Sequence, residues 1–126
     1  MNKKVLYLSA TIAYALLIFL LSSFSGDKTE KLYLFKHSDK IIHLLEYAVL
    51  CFLVSKALSF TLKENVRRYI GLIAVVISLL YAITDEFHQS FVPGRYASID
   101  DIFADGIGAV ISQIILYIKD VKGDLR

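Results

Sequence analysis

Residues 83–108 read ITDEFHQSFVPGRYASIDDIFADGIG. The stretch begins at the end of one apolar run and finishes inside the next. Between them lie Asp85, Glu86, His88, Gln89, Arg95, Asp100, Asp101 and Asp105, with the chain's only proline, Pro93. In a water-soluble protein this would be an ordinary polar loop. Here the flanking runs are apolar enough to cross a bilayer, so the charges fall at or inside its edge. Polar groups at that depth are costly and usually functional.

Outward from this stretch, four apolar runs can be read at 5–24, 41–60, 69–83 and 102–118. The first two approach the roughly 20 helical residues needed to span a hydrocarbon core of ~30 Å. The last two are short unless the third continues to residue 91 and the fourth begins at 101. Those extensions place carboxylates at membrane depth. The expected fold is all-α, a four-transmembrane-helix antiparallel bundle with spans at about 5–24, 41–60, 69–91 and 101–118. A single unit over 1–126 is expected from the length.

Composition narrows the alternatives. Hydrophobic residues make up 56% of the chain, in runs too long and too poor in charge for a soluble helical bundle. A cleaved leader would explain Lys3 and Lys4 followed by an apolar core. That core is longer than the roughly 7–15 residues of a signal, which favours an uncleaved first span. The net charge of +2 gives no reason to invoke nucleic acid. A lone cysteine, Cys51, excludes an intramolecular disulfide and disfavours a thiolate metal site.

Lysine and arginine placement sets the orientation. With the N-terminus inside, Lys3, Lys4, Lys56, Lys63, Arg67, Arg68, Lys119, Lys122 and Arg126 are cytoplasmic, and Lys28, Lys31, Lys36, Lys40 and Arg95 are outside. The excess favours both termini in the cytoplasm of a multi-pass membrane protein. Residues 28–36 mix charge with Leu32, Tyr33, Leu34 and Phe35, which suits a segment lying at the interface.

The second span opens on Ser38, Asp39 and Lys40, and Ser38 or Asp39 can cap it. Asp39, His43 and Tyr47 follow at i, i+4 and i+8, with Glu46 three residues after His43, so the four share one face. On the third span Gly71, Ser78 and Ala82 are contact positions. Asp85, His88 and Gln89 then come at i, i+3 and i+4. Val92-Pro93-Gly94 makes a turn, and Ser98 or Asp100 can cap the fourth span. Asp101 and Asp105, at i and i+4, point one way, with Gly108 clearing backbone space below them. Connections one and three lie on the same side of the membrane. The expected result is a polar cavity lined by His43, Glu46, Asp85, Glu86, Gln89, Arg95, Asp101 and Asp105.

At this point a family resemblance emerges. Asp39-Lys40-x-x-His43-x-x-x-Tyr47, Asp85-Glu86-x-x-Gln89-x-Phe91-x-Pro93-Gly94-Arg95 and Asp101-x-x-x-Asp105-x-x-Gly108 together resemble the VanZ-like family of small bacterial membrane proteins. One branch of that family is associated with resistance to teicoplanin-type glycopeptides. The resemblance runs from about Ser22 through the fourth span. Two positions depart from it: Asp105 stands where the family usually has Asn, and Ser112 where a second glycine is expected. The resemblance implies a four-helix membrane fold and a role at the cell envelope, and implies no reaction.

Two functional readings remain. In the first, the outer site binds an anionic lipid-linked envelope precursor or a phospholipid headgroup. Arg95 is the natural anion partner because guanidinium grips phosphate through paired hydrogen bonds. Lys40 adds a charge at the rim, and Asp39, Glu46, Tyr47, Glu86, Gln89 and Asp105 complete the ligand-binding set. In the second, a membrane-surface hydrolase or transferase uses His43 as base or nucleophile, with Asp85 and Asp101 as further catalytic carboxylates. A purely structural reading instead pairs Arg95 with Asp101 or Glu86, and His43 with Asp85. Carboxylates plus His43 would suit a hard or borderline cation, yet no His-x-x-x-His or Glu-x-x-His pair occurs. No metal ligand is assigned from the sequence, and cofactor and oligomeric state stay open.

Overall fold

A computed structural model describes residues 2–30 and 38–124. The described residues are helical, without strands. Helix α1 spans Lys3–Ser22, α2 Gly26–Glu30, α3 Ser38–Ser59, α4 Ile70–Gln89 and α5 Ile99–Asp124, with a 3₁₀ turn at Glu64–Tyr69 leading into α4. Four of these segments are long and apolar enough to cross a membrane: Lys3–Ser22, Ser38–Ser59, Glu64–Gln89 and Ile99–Gly123.

The side chains are distributed for a non-aqueous solvent. Leu16, Leu20, Leu72, Leu80, Ile107, Ile114 and Ile115 face outward, while Ser78, Asp85, Glu86, Gln89, Asp101 and Asp105 are buried. In water such an apolar surface would aggregate. In lipid it is the expected exterior, and helix contacts fall to small and hydrogen-bonding residues. Along α4 the buried stripe is Ile70, Ala74, Ser78, Ala82, Asp85, Glu86 and Gln89, small in the middle and acidic at one end.

Helices α3 and α5 pack most closely and run parallel. Lys40 pairs with Asp101, His43 with Asp105, and Ser55 with Gln113. Near the middle a Cβ on Gly108 would lie 2.0 Å from the Leu44 carbonyl oxygen, so only glycine permits this approach. Helix α1 is more peripheral, burying only Ile18 and Ser22. Tyr81 ties α4 to it by donating to the Ala15 carbonyl at 2.6 Å.

Helix ends differ from the apolar runs for local reasons. Asn2 caps α1 by accepting from the Lys4 amide at 3.0 Å, so the helix begins before Val5. Helix α3 begins at Ser38 rather than at 41, because polar residues occupy its first turn. Ser38 therefore lies within the helix, its hydroxyl without a partner among the described residues. Helix α4 stops at Gln89 rather than 91: the Phe91 and Val92 amides turn to the His88 and Gln89 carbonyls ahead of Pro93. Ser98 sits directly before α5, and Asp100 lies inside it. The interfacial segment expected over 28–36 is described as far as Glu30, within α2. Lys31, Leu32, Tyr33, Leu34, Phe35, Lys36 and Arg126 lie outside the described residues.

Candidate functional site

The first and third connections meet at one end of the bundle. The Gly26 amide donates to the Pro93 carbonyl at 3.0 Å, and a Cβ on Gly26 would strike the Gly94 oxygen at 1.8 Å. Gly94 itself has φ 75°, a conformation that favours glycine. Arg95 reaches back across this junction, its Nε donating to the Phe24 carbonyl at 3.2 Å and its Nη1 to Gln89 Oε1 at 2.6 Å. The glycine contact leaves no mark on hydropathy or periodicity, which is why the sequence alone does not reveal it.

Below the junction, α3, α4 and α5 each contribute acidic groups. Lys40 is held between Asp39, at 3.3 Å, and Asp101. His43 Nδ1 lies 3.0 Å from Asp105 Oδ1, about one and a half turns inside α3. Gln89 Nε2 donates to Asp85 Oδ2 at 2.9 Å, and the Ser98 amide donates to Glu86 Oε2 at 2.8 Å. These pairings differ from those of the purely structural reading. Arg95 bonds Gln89 and Phe24 instead of Asp101 or Glu86, and His43 bonds Asp105 instead of Asp85. The parallel register of α3 and α5 sets Asp101 opposite Lys40 and Asp105 opposite His43, while Glu86 accepts from the Ser98 amide.

Two adjoining cavities open here, of about 210 and 420 Å³. Asp39, His43, Gln89 and Arg95 line both. The smaller adds Glu46 and Asp85 on its polar side and Ile18, Leu21, Phe24 and Ile42 on its apolar side. The larger adds Lys40, Ser98 and Asp101. Glu86, Asp105 and Tyr47 do not line either cavity; they are buried behind His43, Tyr47 completely. Its hydroxyl, with Ser78 Oγ, Asp85 Oδ1, Glu86 Oε1 and Asp105 Oδ2, has no hydrogen-bond partner among the described residues. Ligand atoms of His43, Glu86 and Asp105 lie within 4.8 Å of one another.

A family model described as VanZ/LLP1 matches residues 5–120. The chain belongs to the VanZ/LLP1 family. The match reaches into every span and takes in the whole of the polar end, and with four membrane-length helices it makes the chain a multi-pass membrane protein of VanZ type. Comparison with curated proteins and with solved structures yields no match.

The VanZ-type bundle also carries polar features that motif reading passes over. Gln113 accepts from Ser55 at 3.1 Å and donates to Cys51 Sγ at 3.2 Å, joining α5 to α3 in mid-span. A lone amide in an apolar run was the available signal. His88 turns away from the site, bonding Ser23 at 3.0 Å with its ring tilted against that of Phe19. At the opposite end a cavity of about 850 Å³ opens beside Lys56, Arg67 and Arg68.

Proposed function

We propose that this VanZ-type protein binds the anionic headgroup of an envelope lipid at its polar end, facing outward from the bacterial cytoplasmic membrane. A lipid-linked precursor is the ligand class that would connect it to glycopeptide resistance of the teicoplanin type. Arg95 carries the reading. Its bonds among the described residues are both to neutral oxygens, and none of the described carboxylates lies within ion-pair distance. A half-buried guanidinium so placed, on the wall of both cavities, is suited to phosphate. The apolar wall of Ile18, Leu21, Phe24 and Ile42 suits the start of an acyl or isoprenoid chain.

Arg95→Ala is expected to weaken binding about tenfold or more, since a hydrogen bond to a charged group contributes ~1.5–3 kcal/mol. Native mass spectrometry with polyisoprenyl phosphate and phosphatidylglycerol, both in chelator, reads the effect and separates precursor from phospholipid. Undiminished binding of both lipids to the variant would refute the reading.

Outward orientation has its own test, in a Cys51→Ala background. Lys28→Cys is expected to react with an impermeant maleimide in intact cells, and Glu64→Cys only after lysis. The reverse pattern would put the polar end in the cytoplasm.

One contact favours a second reading, a hydrolase or transferase acting on the same lipid class. His43 lines both cavities while its Nδ1 meets the buried Asp105 carboxylate, an arrangement that orients a general base. Asp85 would supply a second carboxylate at the smaller cavity, and Asp101 a third at the larger. Product formed from the bound lipid by the wild-type protein would establish catalysis.

A further inference from the structure

Three helices each deliver one metal-binding side chain to a single buried point: α3 gives His43, α4 gives Glu86 and α5 gives Asp105. Asp105 is 1% and Glu86 3% exposed. Each carboxylate has one oxygen engaged, Asp105 Oδ1 by His43 and Glu86 Oε2 by the Ser98 amide. The remaining oxygens, Asp105 Oδ2 and Glu86 Oε1, are buried without partners among the described residues. Orphaned buried acceptors are rare in folded proteins because each forfeits its hydration. Two of them beside one imidazole form a set of donors that a cation would satisfy.

We infer that His43, Glu86 and Asp105 bind a divalent transition-metal ion of the Mn²⁺ to Zn²⁺ class. One imidazole and two carboxylates form a mixed donor set of borderline character, which these ions accept. Donors around a tetrahedral ion at ~2.1 Å stand ~3.4 Å apart, so small side-chain rotations close the present spacing. Mg²⁺ and Ca²⁺ prefer shells built wholly of oxygen, which an imidazole donor does not suit. His43 lies on both cavity walls, so the ion would sit at their inner end. The donor set stands on its own and does not depend on the lipid reading.

The test uses the full chain in detergent, stripped with chelator and free of added lipid. Titration calorimetry with Zn²⁺ and Mn²⁺ is expected to show roughly one ion per chain and a raised melting temperature. Glu86→Gln and Asp105→Asn should each lower affinity at least about tenfold, while Asp100→Asn, an exposed acid at the same helix end, should not. If either variant fails to fold, the wild-type melt with and without metal still decides. Absence of stoichiometric binding with an unmoved melting temperature overturns the site. So does binding that survives in both variants, or that falls equally in Asp100→Asn.

Discussion

Gly108→Ala is expected to destabilise the protein by about 3 kcal/mol or more, the upper part of the range for overpacking and beyond. Helix propensity alone predicts the opposite sign, a gain of up to ~1 kcal/mol when glycine becomes alanine inside a helix. Packing wins here because the new Cβ would lie 2.0 Å from the Leu44 oxygen and 2.8 Å from its carbonyl carbon. Both atoms are backbone, so no side chain can rotate away, and α3 and α5 must separate. Separation would loosen the Lys40–Asp101 and His43–Asp105 pairs together. Gly123→Ala is the internal control, since nothing lies within 4 Å of a Cβ there. Unfolding in mixed detergent and denaturing micelles measures both. Equal stability of Gly108→Ala and wild type would mean that the two helices do not approach as described.

The second large effect concerns the buried imidazole and carboxylate. His43→Ala is expected to cost about 3–5 kcal/mol in chelator, because it leaves the Asp105 carboxylate buried without its partner. Replacing both groups by apolar residues of similar volume, His43→Leu with Asp105→Val, should recover most of that loss, since no charge is then orphaned. The double variant distinguishes the price of an unpaired charge from the price of lost packing. A double variant as unstable as His43→Ala would assign the cost to packing. The comparison is made without metal, so it reads the pair alone.

Much of the fold was legible because the bilayer imposes length and hydropathy on every span. Runs 5–24 and 41–60 announced themselves, and the short runs at 69–83 and 102–118 pointed to the acidic ends that complete α4 and α5. Helix faces were legible too: the i, i+4 spacing of Asp39, His43 and Tyr47, and of Asp101 and Asp105, places each set on one side of its helix. Partner choice was not. Whether His43 meets Asp85 or Asp105 depends on how far one helix is shifted along another, and spacing within a helix carries no information about that shift. The grouping of Glu86 with His43 and Asp105 was hidden for the same reason, since its three members come from three helices. Gly26 against Gly94 was hidden differently, because a contact between two residues without side chains leaves nothing to read.

The parallel seam between α3 and α5 has a consequence for assembly. Once helices are inserted, apolar side chains find lipid tails nearly as congenial as each other, so they discriminate poorly between alignments. Lys40 with Asp101, His43 with Asp105 and Gly108 beneath Leu44 are three unlike fits that coincide in one alignment. Sliding α5 by a single residue moves it ~1.5 Å and turns it about 100°, which spoils all three at once. The polar groups thus act as the teeth of a key, and the chemistry at the polar end also tells the finished bundle when its helices have stopped sliding.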